Sequence, residues 1–295
     1  MGIVLGPNRY GKAETRVVRV YRDGARHSLQ DLNVSVALSG ALDATHLTGD
    51  NSQVLPTDSQ KNTVYAFARS HGIGSAEEFG LLLARHFVDS QPSITRARVG
   101  IEQYDWQRLG PHSFQRDGSA TRTATVRYDG ERAEVIAGVT GLVLLNATDS
   151  EFRGYVHDPY TTLPETGDRI LATAVDATWR YADADAEPAV GTGAADGGWD
   201  GAYAAVRAAL VAAFTGTYSR SLQQTLYAMG QRVLTERPDV VEVRLALPNK
   251  HHLLVDLSPF GLDNPNTVFV AADRPYGLIE GTVTRDDAPP PLGEW

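Results

Sequence analysis

Residues 241–258, VEVRLALPNKHHLLVDLS, read as two strands broken by a polar insert, and the rest of the chain can be laid out from them. Val241, Val243, Leu245 and Leu247 alternate with Glu242, Arg244 and Ala246, while Leu253, Val255 and Leu257 alternate with Leu254, Asp256 and Ser258. Period two on both sides is strand periodicity. Between the runs lies Leu247-Pro248-Asn249-Lys250-His251-His252. Pro248 cannot donate to a sheet ladder, so this group belongs at a bulge or strand break, where side chains are aimed into a cleft. The spacing admits either a polar turn or a functional site.

Upstream stand two helical stripes, Tyr203, Val206, Leu210 and Phe214, then Leu222, Leu226, Met229 and Val233. Strands near residues 135–145 and 170–181 precede them, and residues 268–284 follow the opening stretch as a last strand. The first half has the same order. Strands at 12–21 and 32–38 lead into a helix carrying Val64, Phe67 and Ala68, which Asp58 or Ser59 can cap. A second helix carries Phe79, Leu82, Leu83 and Phe87, with a Ser75/Glu78 capping box at its start. Strands at 95–101 and 121–128 close this half. Strand-strand-helix-helix-strand-strand therefore occurs twice, as a repeat of architecture and not of sequence. It predicts an α+β chain of two units, residues 1–133 and 134–295, with antiparallel sheets each covered by a helix pair. The outer strands of such open sheets need partners, so a homo-oligomer is expected.

Composition narrows the function. With 295 residues, 42% hydrophobic and 21% charged, the chain is an ordinary globular one. No apolar run approaches the roughly 20 residues of a membrane helix, and residues 1–10 lack the pattern of a signal peptide, so a cytoplasmic protein is expected. Zero cysteines exclude disulfides, thiolate nucleophiles and cysteine-held metals. A net charge of −9 without a basic stripe argues against nucleic acid. Residues 183–198, rich in Ala, Asp and Gly, read as a mobile insertion. Gly191-Thr192-Gly193 there lacks the strand and the Lys-Ser/Thr of a nucleotide loop. The proline-rich tail, residues 286–295, is expected to be loose.

Six ordered strings, Arg9-Tyr10-Gly11-Lys12, residues 57–63 (TDSQKNT), Ser150-Glu151-Phe152, Asp168-Arg169-Ile170-Leu171, Leu222-Gln223-Gln224-Thr225 and residues 247–251, together resemble the urate oxidase (uricase) family. The resemblance runs from about Tyr10 to Thr284. It implies two tandem T-fold units in a homotetramer whose sheets close into a tunnel. It also implies oxidation of urate by dioxygen and water to 5-hydroxyisourate and hydrogen peroxide, without metal or organic cofactor.

By that similarity, Arg169 grips a carbonyl and ring nitrogen of the planar anion through its guanidinium fork. Taken alone, Arg169 reads as a surface ion pair with Asp168. Gln223 and the backbone N–H of Leu222 take the opposite edge of the purine, and Phe152 stacks on its face. Lys12 and Thr57 form a proton relay, the backbone N–H groups of Thr57 and Asp58 face the substrate, Asn249 holds dioxygen or water, and His251 orients the relay. In isolation, Lys12 starts a strand, Thr57 caps a helix, and Leu222 and Phe152 are packing residues. His252 points to the other face of its strand, and the histidine pair does not converge on a metal.

Since the family builds its site between subunits, Lys12, Thr57 and Asp58 should face Phe152, Arg169, Gln223 and Asn249 of a neighbour. Pro56 and Leu222 depart from the small or other aliphatic residues expected there. The Gly293-Glu294-Trp295 end lacks a Ser-Lys-Leu peroxisomal address, which favours a bacterial cytoplasmic enzyme. Two other functions fit parts of the pattern: a non-catalytic purine-binding oligomer, and a metal-free T-fold enzyme acting on pterins.

Overall fold

Apolar side chains at every second position turn one face of each long strand into a shared core, on which the helices lie. The computed structural model describes residues 2–118, 120–186, 188, 197–272 and 274–293. The first half contains β1 (Tyr10–Tyr21), β2 (Ser28–Gly40), α1 (Asp43–Leu47), α2 (Thr57–Ser70), α3 (Ala76–Asp89), β3 (Ile94–Gln103), β4 (Trp106–Arg108), β5 (Phe114–Arg116) and β6 (Thr121–Tyr128). The second contains β7 (Ala133–Asn146), β8 (Leu171–Tyr181), α4 (Gly198–Gly216), α5 (Leu222–Glu236), β9 (Val240–Pro248), β10 (His251–Leu254), β11 (Phe269–Ala272) and β12 (Leu278–Thr284).

The expected order thus appears in both halves, but the two sheets are joined. One eight-stranded antiparallel sheet runs β1-β2-β3-β6-β7-β8-β9-β12. The join is a hairpin whose ladder runs from Thr121↔Thr140 to Tyr128↔Ala133. Its turn is built by Asp129, whose Oδ1 accepts the N–H groups of Glu131 and Arg132 at 3.1 and 2.7 Å, and by Gly130 at φ 92°. The hairpins β4–β5 and β10–β11 stand outside this sheet and were not anticipated. The chain also breaks after Pro248, as its missing N–H predicts, and resumes at His251.

Each half seats its last helix on a strand through one glycine. A Cβ on Gly80 of α3 would stand 2.7 Å from Val126 Cγ2 of β6, and one on Gly230 of α5 would stand 2.5 Å from Val283 Cγ2 of β12. The α3 capping box is formed as read: the Glu78 N–H donates to Ser75 Oγ and the Ser75 N–H to Glu78 Oε2, each at 3.1 Å. The cap read for α2 is not. Pro56 holds its N-cap position in extended geometry, and Asp58 and Ser59 lie inside the first turn.

Across the seam between halves, buried Arg122 of β6 donates to Glu77 of α3 at 2.6 Å and to Asp200 of α4 at 2.5 Å. The tail read as loose has an anchor, the Leu292 N–H donating to Glu134 Oε1 at 3.1 Å. The Gly191-Thr192-Gly193 segment and most of the 183–198 insertion lie outside the described residues. Among the described residues, no helix is long and apolar enough to cross a membrane.

Removing a buried partner leaves its counter-charge uncompensated. Glu77→Ala should therefore lower apparent stability by about 3 kcal/mol, since the more exposed Asp200 is the one carboxylate that Arg122 keeps among the described residues. A urea unfolding midpoint equal to that of the parent would contradict this.

Candidate functional site

The first cluster sits where β1 begins. Gly11 approaches β2 so closely that a Cβ there would stand 1.8 Å from the Val36 carbonyl oxygen, and the ladder bulges between Lys12 and Thr15. Half-buried Lys12 pairs with Val36. Tyr10, on the same side of the strand by two-residue spacing, accepts the Leu55 N–H and donates to the Leu55 carbonyl, both at 3.0 Å. Burial raises the pKa of its phenol, which keeps the donor protonated.

This clamp fixes the turn that delivers Pro56 and then Thr57, the first residue of α2. The Thr57 and Asp58 N–H groups lie in the first helical turn, where no intrahelical acceptor exists. The Asp58 carboxylate accepts from Lys61 Nζ at 2.5 Å and Asn62 Nδ2 at 2.9 Å. Its pKa falls below the usual range through the hydrogen bond and charge of Lys61, with a smaller pull from Lys12.

The second cluster is organised by two buried serines. Ser150 and Ser219 form a parallel bridge, with the Glu151 N–H donating to the Ser219 carbonyl at 2.8 Å and the Ser219 N–H to the Asp149 carbonyl at 2.9 Å. Thr225 Oγ1 donates to Ser219 Oγ at 2.8 Å, tying the bridge to α5. Ser150 also holds Arg169 twice: its carbonyl accepts the Arg169 N–H at 2.9 Å and its hydroxyl accepts Nε at 3.2 Å. The Arg169 guanidinium carbon lies 5.3 Å from the Phe152 ring centroid.

Burial lowers the Arg169 pKa. No carboxylate pairs with Arg169 among the described residues. The ion pair with Asp168 that its sequence position suggests is not formed, because Asp168 accepts from Thr148 Oγ1 at 2.9 Å and Asn266 Nδ2 at 3.0 Å. Phe152 bridges Thr166, and Tyr155 stacks on it at 4.8 Å and 15°. Leu222 is buried at the first position of α5, behind a Ser221 cap that accepts the Gln224 N–H at 3.2 Å, and Gln223 is exposed beside it.

Asn249 joins this cluster through the backbone. It bridges Thr173 of β8, its N–H donates to the Gly277 carbonyl at 2.8 Å, and the next N–H, of Lys250, donates to the Ala172 carbonyl at 2.8 Å. His251 follows at the start of β10, opposite Ala272. His252 Nδ1 lies 3.0 Å from the Lys250 carbonyl, a local backbone contact.

The chain therefore presents two groups: Lys12, Thr57 and Asp58 at the β1 edge, and Phe152, Arg169, Leu222, Gln223, Asn249 and His251 around the ends of β8 and β9. Five strand spacings separate β1 from β8, about 24 Å along the sheet. Within one chain the two groups do not meet.

The model of one protein family, Uricase, matches residues 8–127 and 135–280. The chain belongs to the uricase family. Uricase of Arthrobacter globiformis is 49% identical over 286 residues, covering 96% of this chain and 91% of that protein. Uricase of Dictyostelium discoideum is 37% identical over 287 residues, with 94% and 96% covered. The crystal structure of the Arthrobacter globiformis uricase superposes with a TM-score of 0.91 at 48% identity, covering 99% of this chain and 98% of that one. The unmatched gap between the family segments falls on the β6–β7 turn.

Family strings named Tyr10 and Ser150 without giving either a task. Their part lies in hydrogen bonds to residues 45 and 19 positions away, which no local pattern discloses. Tyr10→Phe should leave the Leu55 N–H without its acceptor at a cost of about 1 kcal/mol and speed hydrogen exchange of that amide. An unchanged exchange rate would show that the turn before Thr57 is held by something else.

Proposed function

We propose that this protein oxidises urate with dioxygen and water to 5-hydroxyisourate and hydrogen peroxide, in sites shared between copies of the chain. The observation that carries the reading is Arg169. It is a partly buried guanidinium beside an aromatic ring, held by Ser150 and facing no carboxylate among the described residues. Such a cation suits a flat anion offering a carbonyl and a ring nitrogen side by side.

In this reading, the Arg169 fork takes one edge of urate, and the Gln223 amide with the Leu222 N–H takes the other. Phe152 bounds the ring face. From a neighbouring chain, the Thr57 and Asp58 N–H groups complete the binding plane. The Thr57 hydroxyl passes a substrate proton to Lys12, with His251 orienting the relay, while Asn249 holds dioxygen or water above the ring. The ring gives two electrons and two protons to dioxygen, forming peroxide. Water then adds its hydroxyl to C5 and its proton to a ring nitrogen. The electrons come from urate itself, so the reading calls for no metal or organic cofactor.

Support for a shared site comes from the 24 Å separation above and from the doubled architecture. Strand order in residues 1–133, β1-β2-β3-β6, matches β7-β8-β9-β12 in residues 134–295, and Gly80 corresponds to Gly230. We read these halves as two T-fold units. β12 then stands to β1 of another copy as β6 stands to β7, which would close the sheets into the tunnel of a homotetramer. The cytoplasm is the compartment we assign.

Urate absorbance and peroxide release, followed together with purified assembled protein, test the reading; urate bound without turnover would leave a purine-binding oligomer instead. Lys12→Met should keep urate binding measurable and slow oxidation by about 10²-fold or more, as loss of a general base does. Undiminished turnover would remove Lys12 from the relay. Arg169→Lys should raise KM by losing the bidentate fork, and an unaltered substrate dependence would contradict that role.

A further inference from the structure

The sheet face away from the helices carries a second basic cluster, unrelated to the residues above. Arg98 of β3 and Arg127 of β6 are directly opposed in the ladder. Like charges at such positions repel and destabilise the pairing. With Arg180 and Arg244 they line a cavity of about 200 Å³ that Pro291 and Gly293 of the C-terminal tail border.

Among the described residues, neither nearby carboxylate is free to neutralise Arg98. Glu134 accepts from Arg127 Nη1 at 2.8 Å and from the Leu292 N–H at 3.1 Å. Glu242 accepts from Arg244 Nε at 2.7 Å, with Arg180 Nη2 at 3.7 Å. Among the described residues, four guanidinium groups against two carboxylates leave two positive charges in excess.

The hydrogen bonds are equally incomplete. Among the described residues, the Nε–H donors of Arg98, Arg127 and Arg180 are all buried and find no hydrogen-bond acceptor, Glu134 Oε1 standing 3.9 Å from Arg180 Nε. Buried donors of this kind call for a water or an ion. Burial lowers the Arg98 pKa, and the charges of Arg127 and Arg9 lower it further. Water alone would satisfy the donors but leave the charge. Urate is a poor fit, because among the described residues no aromatic side chain lines this cavity.

We propose that the cavity binds a tetrahedral oxoanion of the phosphate class, seated between Arg98, Arg127 and Arg180 at the tail. Two negative charges match the local excess, and several oxygens match converging N–H donors. Thr125 and Thr178 add hydroxyl groups at the same cavity. The bound anion would screen the opposed arginines and so tie β3, β6 and β8 together across the seam.

The test uses the full-length assembled protein and inorganic phosphate, against chloride at matched ionic strength and pH. Phosphate should raise the melting temperature of the parent. Arg98→Gln should melt above the parent in chloride, where it relieves the repulsion, and below it in phosphate, with kcat on urate unchanged in phosphate-free buffer. No phosphate-specific shift, meaning that water satisfies the donors, or the same shift in Arg98→Gln, would overturn the proposal. If Arg98→Gln does not assemble, calorimetry on the more exposed Arg244→Gln replaces it. Phosphate affinity should then fall by about tenfold, and undiminished affinity would likewise overturn the proposal.

Discussion

The ladder between β6 and β7 is the constraint from which the other features follow. It joins the two halves of the chain into one eight-stranded sheet whose edge strands are β1 and β12. It also sets the distance between Lys12 on the first strand and Arg169 at the foot of the sixth. The seam is reinforced on the helix side by Arg122, which lies on the first half and reaches Asp200 on the second. On the opposite face, the same strands carry the opposed arginines. A sheet that buries one face and exposes the other thus supports two kinds of polar chemistry on one set of strands.

Within the second cluster, precision comes from hydrogen bonds that pin two connecting segments to each other, residues 147–170 and 217–221. Ser150 and Ser219 are fully buried, and each satisfies its hydroxyl inside the cluster. They lock two chain segments nearly 70 residues apart in sequence, so Arg169, Phe152 and the start of α5 share one rigid frame. Keeping a partly buried cation without a carboxylate partner costs stability. The frame is what holds that cation in place.

Much of this was legible in the sequence. Alternation at 95–101 and 121–128, the stripe of Leu222, Leu226, Met229 and Val233, and the Ser75/Glu78 box gave elements close to those observed, because each is a local signal. Pro248 announced the strand break for the same reason. The union of the two sheets was not legible: strand alternation says which face is buried and nothing of which edge meets which. Asp58 looked like a cap because its residue type favours that role, yet Pro56 arrives first and Lys61 and Asn62 take the carboxylate. Asp168 looked like the partner of Arg169 by adjacency, but neighbours in extended chain diverge. The tasks of Tyr10 and Ser150 were hidden because both act through distant backbone groups.

Gly230 has a consequence for recognition as well as packing. It lies two helical turns beyond Leu222 and Gln223, about 12 Å along α5, and rests against Val283 of the edge strand β12. The helix is in effect a beam seated at that glycine, with its amide-bearing end tied through Thr225 to Ser219. Anything that thickens the seat, or that pulls the edge strand sideways by pairing with it, is transmitted to the position of Gln223. The position of Gln223 is thereby tied to the state of the sheet edge, through a contact about two helical turns away from it.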